Sequence, residues 1–159
     1  KDGVPSSRMV LLKSYDEKGF VYYTNYTRRK SQEIIDTPKV ALNFFWDALE
    51  RQVRVEGAIS KVGSKISDEY FSSRSRLSQL GAHASNQSQI IQSYDVITNK
   101  LSELEKKYEG KEIPRPDHWG GFIIVPKTIE FWQGHEGRIH DRLKFQKENS
   151  EWNLIRLSP

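Results

Sequence analysis

Cysteine is absent from the 159 residues, which excludes disulfides, thiolate metal sites and a cysteine nucleophile together. No apolar run approaches the roughly 20 residues of a membrane-spanning helix, and no signal-peptide pattern opens the chain. A soluble, intracellular protein of the cytoplasm is therefore expected. Neither GxGxxG nor GxxxxGK followed by Ser or Thr occurs, which argues against Rossmann and P-loop nucleotide sites. Histidine is scarce, with four in the chain. His135, Glu136 and His140 imitate a zinc motif, but two histidines five apart with Gly137 between them do not share a helical face, so no metal site is expected. An excess of one charge is missing too: 25 basic residues are interspersed with 21 acidic ones for a net charge of +4. That balance suits small anions at least as well as polynucleotides.

What is present is enough for a core, with 36% apolar and 11% aromatic residues, and the length fits one compact domain over residues 1–159. KDGVPSSR reads as a surface turn entering a strand, and further chain is expected before Lys1. Arg8 to Lys13 and Gly19 to Asn25 are β-rich runs joined by a hairpin signal at Asp16–Gly19. RRKSQEIIDTP is helical in character and stops before Pro38. Val40 to Trp46 and Gln52 to Val62 follow as strands; in the second, Val53, Val55 and Ile59 share one face and Gln52, Arg54 and Glu56 the other. From Ser64 to Tyr108 the period becomes helical in three segments, the last a charged surface helix with Gly110 as C-cap. β-character returns in GGFIIVP, TIEFWQG, DRLKFQ and WNLIRL. Six or seven strands and three or four helices predict an antiparallel barrel with helical insertions.

Several small basic groups sit beside hydroxyls: Ser7-Arg8, Arg28-Arg29-Lys30-Ser31, Arg74-Ser75-Arg76, and Ser88 next to Gln87. Such groups hold phosphates through charge-assisted hydrogen bonds, and equally they decorate solvated surfaces. Three cations at Arg28–Lys30 oppose the dipole of the helix they begin, an arrangement that makes more sense with an anion between them. The Gln52-Arg54-Glu56 face is either solvated or lines a site. Of Phe131 and Trp132, one must point away from the core if the segment is a strand. Arg138, His140 and Arg142 would share one strand face and concentrate cations there.

Beyond these local patterns, RQVRVEG (51–57), SQLGAHASNQS (78–88), WGG (119–121), EFWQG and RIHDR within 130–142, and the closing RLSP resemble the pyridoxamine (pyridoxine) 5′-phosphate oxidase family. The resemblance runs from Pro5 to Pro159 in order and with compatible spacing. It implies an α+β, mainly β fold, the FMN-binding split β-barrel with helical insertions. It also implies a homodimer built on C-terminal dimerisation strands at about 119–159, with one flavin mononucleotide (FMN) in each of two interface sites. By the same resemblance, Arg8, Met9, Val10, Leu11, Tyr23, Thr24, Gln52, Gln87, Ser88, Trp132 and Arg142 match cofactor contacts. Arg29 and Lys30 match the pair on the flavin phosphate. Lys13, Tyr70, Arg74 and Ser78 match residues on the substrate phosphate, and Arg138 and His140 the catalytic pair over the substrate ring. The implied reaction is oxidation of pyridoxine or pyridoxamine 5′-phosphate by dioxygen to pyridoxal 5′-phosphate with release of hydrogen peroxide.

The chain departs from the family pattern at His83, where Trp is frequent, at Leu77, where Gly or Ser is, and at Ser75, where Pro is common. A non-catalytic flavin- or haem-binding split barrel is the alternative, since the fold hosts binders as well as oxidases; Arg138 and His140 with Lys13 and Arg74 are what a binder would not need. A pI near 9.2 raises a nucleic-acid module, but the basic residues form small separate groups rather than one track. Neither a nucleic acid nor a membrane is expected as a partner.

Overall fold

A computed structural model describes residues 4–85 and 90–159. The described residues form β1 (Leu12–Asp16), β2 (Gly19–Asn25), α1 (Arg29–Asp36), β3 (Lys39–Trp46), β4 (Arg51–Lys61), α2 (Ser64–Ser72), α3 (Arg76–Ala84), α4 (Asp95–Lys107), β5 (Trp119–Gln133), β6 (Asp141–Glu148) and β7 (Glu151–Leu157). The β1–β2 turn follows from its side chains. Asp16 Oδ1 accepts from the backbone N–H groups of Lys18 at 2.8 Å and Gly19 at 3.2 Å, an Asx arrangement. Gly19 takes φ 143°, and a Cβ there would meet the Ile124 carbonyl oxygen at 2.1 Å. The first strand starts at Leu12 rather than Arg8: residues 4–11 carry no regular structure, and Met9 and Leu11 are exposed, so no alternating buried face holds them to a sheet.

All strand pairs are antiparallel. Strand β5 is the spine: Trp119–Ile124 pairs β2, Thr128–Gln133 pairs β6, and β4 runs along its other edge. The sequence reading expects two strands here, GGFIIVP and TIEFWQG. They are one strand of 15 residues, because Pro126, which has no N–H to give, lies opposite Gly57 at the β4–β5 register shift and between the β2 and β6 pairings. A proline is tolerated at such a bulge.

The hydrogen-bonded order β1-β2-β5-β4-β3, with β6 and β7 continuing from β5, leaves the sheet open. The expected barrel is thus curled but not closed by backbone bonds among the described residues. Aromatic contacts span the gap instead, with Phe20 on β2 6.3 Å from Phe44 on β3. Inside the curl lie Tyr22, Ile34, Ile59, Phe122 and Ile124; on the outer face Phe71, Leu80, Leu104, Ile113 and Trp119 pack under α2, α3 and α4. The two faces of β5 feed both cores, since Trp119 and Phe122 fall on opposite sides of the pleat. Gly120 leaves room for two neighbours: a Cβ there would lie 2.3 Å from the Tyr26 hydroxyl and 3.0 Å from the Ser67 hydroxyl on α2. Helix α4 buries Leu104 alone, the surface helix its charges predict, and Gly110 takes φ 66° just beyond its end. Among the described residues no helix is long and apolar enough to cross a membrane.

Candidate active site

Three groups of side chains carry chemistry. The first surrounds a cavity of about 330 Å³ lined by Ser6, Ser7, Arg8, Arg29, Lys30 and Glu33, among others. Helix α1 opens on it with no acidic residue in its first turn and no side-chain cap from Arg28. Burial, and then the neighbouring charge of Arg8, hold the Lys30 ammonium below the usual lysine range and the Arg28 guanidinium below its own. Lys30 Nζ donates to Thr24 Oγ1 at 3.2 Å and lies 4.9 Å over the Tyr22 ring. Tyr22 cannot balance the charge, since burial pushes its phenol up to about 12. The Arg28 Nε is buried without a hydrogen-bond partner among the described residues. Glu33 is the local counter-charge: Ser6 and Arg29 donate to its carboxylate, which they hold below the usual range. Cations crowded in this way repel one another until an anion joins them.

The second group lines a cavity of about 480 Å³ and includes Leu11, Lys13, Tyr23, Tyr70, Arg74, Ser75, Ser78 and Trp119. Tyr23 and Tyr70 stack with centroids 3.8 Å apart, and Tyr23 stacks on Trp119 at 5.5 Å. Lys13 Nζ stands 5.7 Å from the Tyr70 ring centre, and the Arg74 guanidinium 4.6 Å from that of Trp119. Arg74 Nη1 is buried and unpaired among the described residues, and burial lowers the guanidinium's pKa. Burial, then Tyr70, raises that of the Tyr23 phenol, so Tyr23 offers a neutral hydroxyl. Ser75 caps α3 by accepting from the Ser78 N–H, and its hydroxyl donates to Ser78 Oγ at 2.8 Å.

The third group is a row across three strands: Gln52 on β4 pairs Trp132 on β5, which pairs Arg142 on β6. The His140 ring packs 4.8 Å from that of Trp132, and the His135 N–H donates to His140 Nδ1 at 3.2 Å. In its neutral form His140 therefore carries its proton on Nε2. Arg142 Nε donates to Glu130 at 2.9 Å and Nη1 to the Ser158 carbonyl at 3.0 Å. The expectation that Arg138, His140 and Arg142 share a strand face fails: Glu136–Arg138 is a 3-10 turn, and β6 begins at Asp141. Gly137 at φ 68° and Arg138 at φ 63° both adopt left-handed backbone, which breaks strand alternation and leaves Arg138 exposed.

The structure thus gathers Lys13, Tyr70, Arg74 and Ser78 in one cavity, Arg8, Arg29 and Lys30 in another, and Gln52, Trp132, His140 and Arg142 along one row. It does not bring Arg138 or His140 into the lining of either cavity. Tyr23 and Leu11, expected on the cofactor, line the second cavity; Val10 packs on the inner core. Gln87 and Ser88 lie outside the described residues. Sequence reasoning put Arg54 on a face that is either solvated or lines a site, and gave no role to Arg54's partner Glu130 or to Trp119. For Glu130 the signal was available, because strand alternation puts it on the same face of its strand as Trp132.

A family model described as pyridoxamine 5′-phosphate oxidase matches residues 1–108, and one described as the pyridoxine 5′-phosphate oxidase C-terminal dimerisation region matches residues 119–159. The chain belongs to the pyridoxamine 5′-phosphate oxidase family. It is 54% identical over 159 residues to the pyridoxine/pyridoxamine 5′-phosphate oxidase of Gloeothece citriformis, covering 99% of this chain and 74% of that one. The corresponding oxidase of Rubrobacter xylanophilus is 53% identical over 158 residues, covering 99% and 73%. Among solved structures, PhzG from Burkholderia lata in complex with tetrahydrophenazine-1-carboxylic acid superposes with a TM-score of 0.92 at 26% identity, covering 99% of this chain and 77% of that one. A pyridoxamine 5′-phosphate oxidase-related, FMN-binding protein from Nostoc punctiforme shares the fold, with a TM-score of 0.75 at 12% identity over 99% and 82% of the two chains.

The departures from the family pattern have local accounts. Ser75 supplies the cap of α3. The His83 ring hydrogen-bonds the Pro114 carbonyl at 2.7 Å and meets Phe71 edge-on, so it closes the outer core where a larger ring would otherwise sit. Leu77 is exposed. None of the three removes a group from the second cavity.

Proposed function

We propose that this chain is an FMN-dependent oxidase of pyridoxine 5′-phosphate or pyridoxamine 5′-phosphate that works as a homodimer, with a cytoplasmic setting that fits its lack of cysteine. The observation that carries the substrate class is Arg74. Among the described residues its Nη1 is buried and unpaired, in a cavity to which they contribute Lys13, Tyr70 and Ser78 and no carboxylate. A phosphate dianion completes such a site, because a guanidinium fork, an ammonium and hydroxyls match its oxygens.

In this reading Arg8, Arg29 and Lys30 hold the flavin phosphate, and the unpaired Arg28 Nε marks the same region as short of an anion. Gln52, Trp132 and Arg142 present the flavin ring with two donors and an aromatic face; Met9, Val10, Thr24, Gln87 and Ser88 complete the cofactor contacts. Flavin held there would supply two-electron chemistry: a hydride taken from the substrate's 4′ carbon as the hydroxyl or amine proton leaves, and the electrons delivered with protons to dioxygen as hydrogen peroxide. The chain's own work is placement. Lys13, Tyr70, Arg74 and Ser78 fix the substrate by its phosphate, while Arg138 and His140 set positive or hydrogen-bonding groups over the substrate ring. Because Trp132, Arg138, His140 and Arg142 all lie in the segment matched by the dimerisation model, pairing two copies accounts for their standing apart from the cavities within one chain.

The test is spectroscopic. The purified protein should be yellow and should bleach anaerobically on adding either phosphorylated vitamer; a colourless protein that cannot take up flavin sinks the proposal. Replacing Arg138 and His140 together by Ala should nearly abolish turnover with flavin still bound. The fold likeness to PhzG raises a second substrate class, phenazine-like carboxylic acids. Bleaching by such a compound but not by the phosphorylated vitamers would reassign the second cavity.

A further inference from the structure

Glu130 is the one buried charged side chain among the described residues, at 7% exposure, and nothing in the proposed reaction uses it. The other buried polar residues hold local backbone or neighbouring groups: Asn25 accepts from the Thr27 N–H, Ser31 donates to the Asn25 carbonyl, and Ser67 accepts from the Gly121 N–H. Glu130 serves two arginines instead. Its Oε1 accepts from Arg142 Nε at 2.9 Å, and its Oε2 lies 3.7 Å from Arg54 Nη1. Arg54 is itself tied to Glu56 at 2.7 Å, and Glu56 accepts from the Thr128 hydroxyl at 3.1 Å. The result is a chain of ionic contacts beside the Gln52–Trp132–Arg142 row, ending on Arg142.

Burying a carboxylate carries a large desolvation cost, and well-packed apolar residues in place of a buried ion pair are often at least as stable. Stability is therefore a poor reason for Glu130. Geometry gives a better one. Arg142 has Nε on Glu130 and Nη1 on the Ser158 carbonyl, which fixes the guanidinium plane. Among the described residues its Nη2 meets no partner, so one donor edge is left free on a residue whose register partner on β5 is Trp132.

We propose that Glu130 is a positioning residue for the cofactor: it locks the Arg142 guanidinium so that its remaining donor edge is presented to the flavin. The proposal rests on the reading above that Arg142 contacts flavin, and the experiment separates the two. Apoprotein would be titrated with FMN, following quenching of flavin fluorescence, for wild type, Glu130→Gln, Arg142→Met and the double variant, with thermal melting of each apoprotein alongside. Glu130→Gln should weaken FMN binding about tenfold, the scale of one impaired charge-assisted hydrogen bond, with little change in apoprotein melting. Arg142→Met should weaken it at least as much, and the double variant no further than Arg142→Met, because coupled groups are not additive.

Additive losses, or full affinity in Glu130→Gln where Arg142→Met is weak, would overturn the positioning role and leave the flavin reading standing. Unchanged affinity in Arg142→Met would overturn the flavin role of Arg142 and the proposal with it. If Glu130→Gln does not fold, Glu130→Asp, which keeps the charge but shortens the reach, carries the same comparison. If neither yields folded apoprotein, Glu130 is a structural residue and the proposal is wrong.

Discussion

Arg74 and Arg142 both hold a guanidinium in a half-buried place, and they do it by opposite means. Arg74 leans on rings, 4.6 Å from the Trp119 centroid and 5.6 Å from that of Phe71, and among the described residues it has no carboxylate partner and one buried nitrogen unpaired. Arg142 is paired to Glu130 and tied to the chain's last residues through Ser158. Stacking on π faces positions a cation without neutralising it, whereas a buried carboxylate positions and neutralises at once. Arg74 therefore suits a charged partner, such as the phosphate dianion proposed above, and Arg142 a directional one, such as the proposed flavin ring with its fixed acceptors.

The largest expected effect comes from removing the uncompensated charge. Arg74→Met should lower kcat/KM for a phosphorylated substrate about a thousandfold, mainly through KM, in line with truncating one side of a desolvated charge contact. FMN affinity should be unchanged. Steady-state kinetics with the phosphorylated and the unphosphorylated vitamer checks this: an equal loss for both would show that Arg74 does not read the phosphate. Arg74→Lys should recover part of the loss because charge survives. Arg142→Lys should recover little FMN affinity over Arg142→Met, because a flexible ammonium cannot replace the planar fork. Rescue by Lys at both positions or at neither would break the comparison.

The first cavity provides a pH handle of intermediate size. Lys30 has its pKa lowered by burial and then by Arg8. The folded protein therefore binds that proton less readily than the unfolded chain, a stability cost that is present at neutral pH and relieved as pH rises toward the ordinary lysine value. A bound phosphate stabilises the ammonium and raises its pKa. FMN affinity should accordingly fall as pH rises through the lowered Lys30 pKa, at a pH below the ordinary lysine value of about 10.4. Riboflavin, which lacks the phosphate, should show no such fall. Fluorescence titration of both ligands across alkaline pH makes the measurement, and parallel pH profiles would remove Lys30 from the phosphate site.

What was legible in the sequence follows the same division between local and long-range causes. Strand β2, helix α1 and the alternation of β4 could be read because period, Pro38 and the Asp16–Gly19 turn act over a few residues. The clustering of Arg28–Lys30 against the helix dipole could be read for the same reason. The family resemblance grouped Lys13, Tyr70, Arg74 and Ser78, and all four line one cavity. The merging of two runs into β5 could not be read, since it depends on where β4 shifts register. Nor could the turn at Glu136–Arg138, where a non-glycine residue adopts left-handed backbone. Trp119 as the platform under Arg74 joins distant segments that no spacing rule links; for Glu130 alternation gives the face, but its pairing with Arg142 and Arg54 depends on how β4, β5 and β6 align.

The smallest expected effect concerns the support beneath Arg74. Ser75 sits at φ −56° and ψ 145° as the N-cap of α3 and holds the Ser78 hydroxyl in the cavity. Ser75→Ala should cost about 1 kcal/mol of stability through the lost cap and raise KM a few-fold as Ser78 loses its partner. Ser75→Pro is the sharper variant, because the φ at that position lies within the range proline imposes. The rigid ring reduces the freedom of the unfolded chain and offsets the lost cap, so chemical denaturation should find Ser75→Pro within roughly 0.5 kcal/mol of wild type. KM should still rise as it does for Ser75→Ala. If KM stays at the wild-type value in both variants, the Ser75–Ser78 hydrogen bond does not order the cavity, and Arg74 with Lys13 holds the phosphate without help from the helix cap.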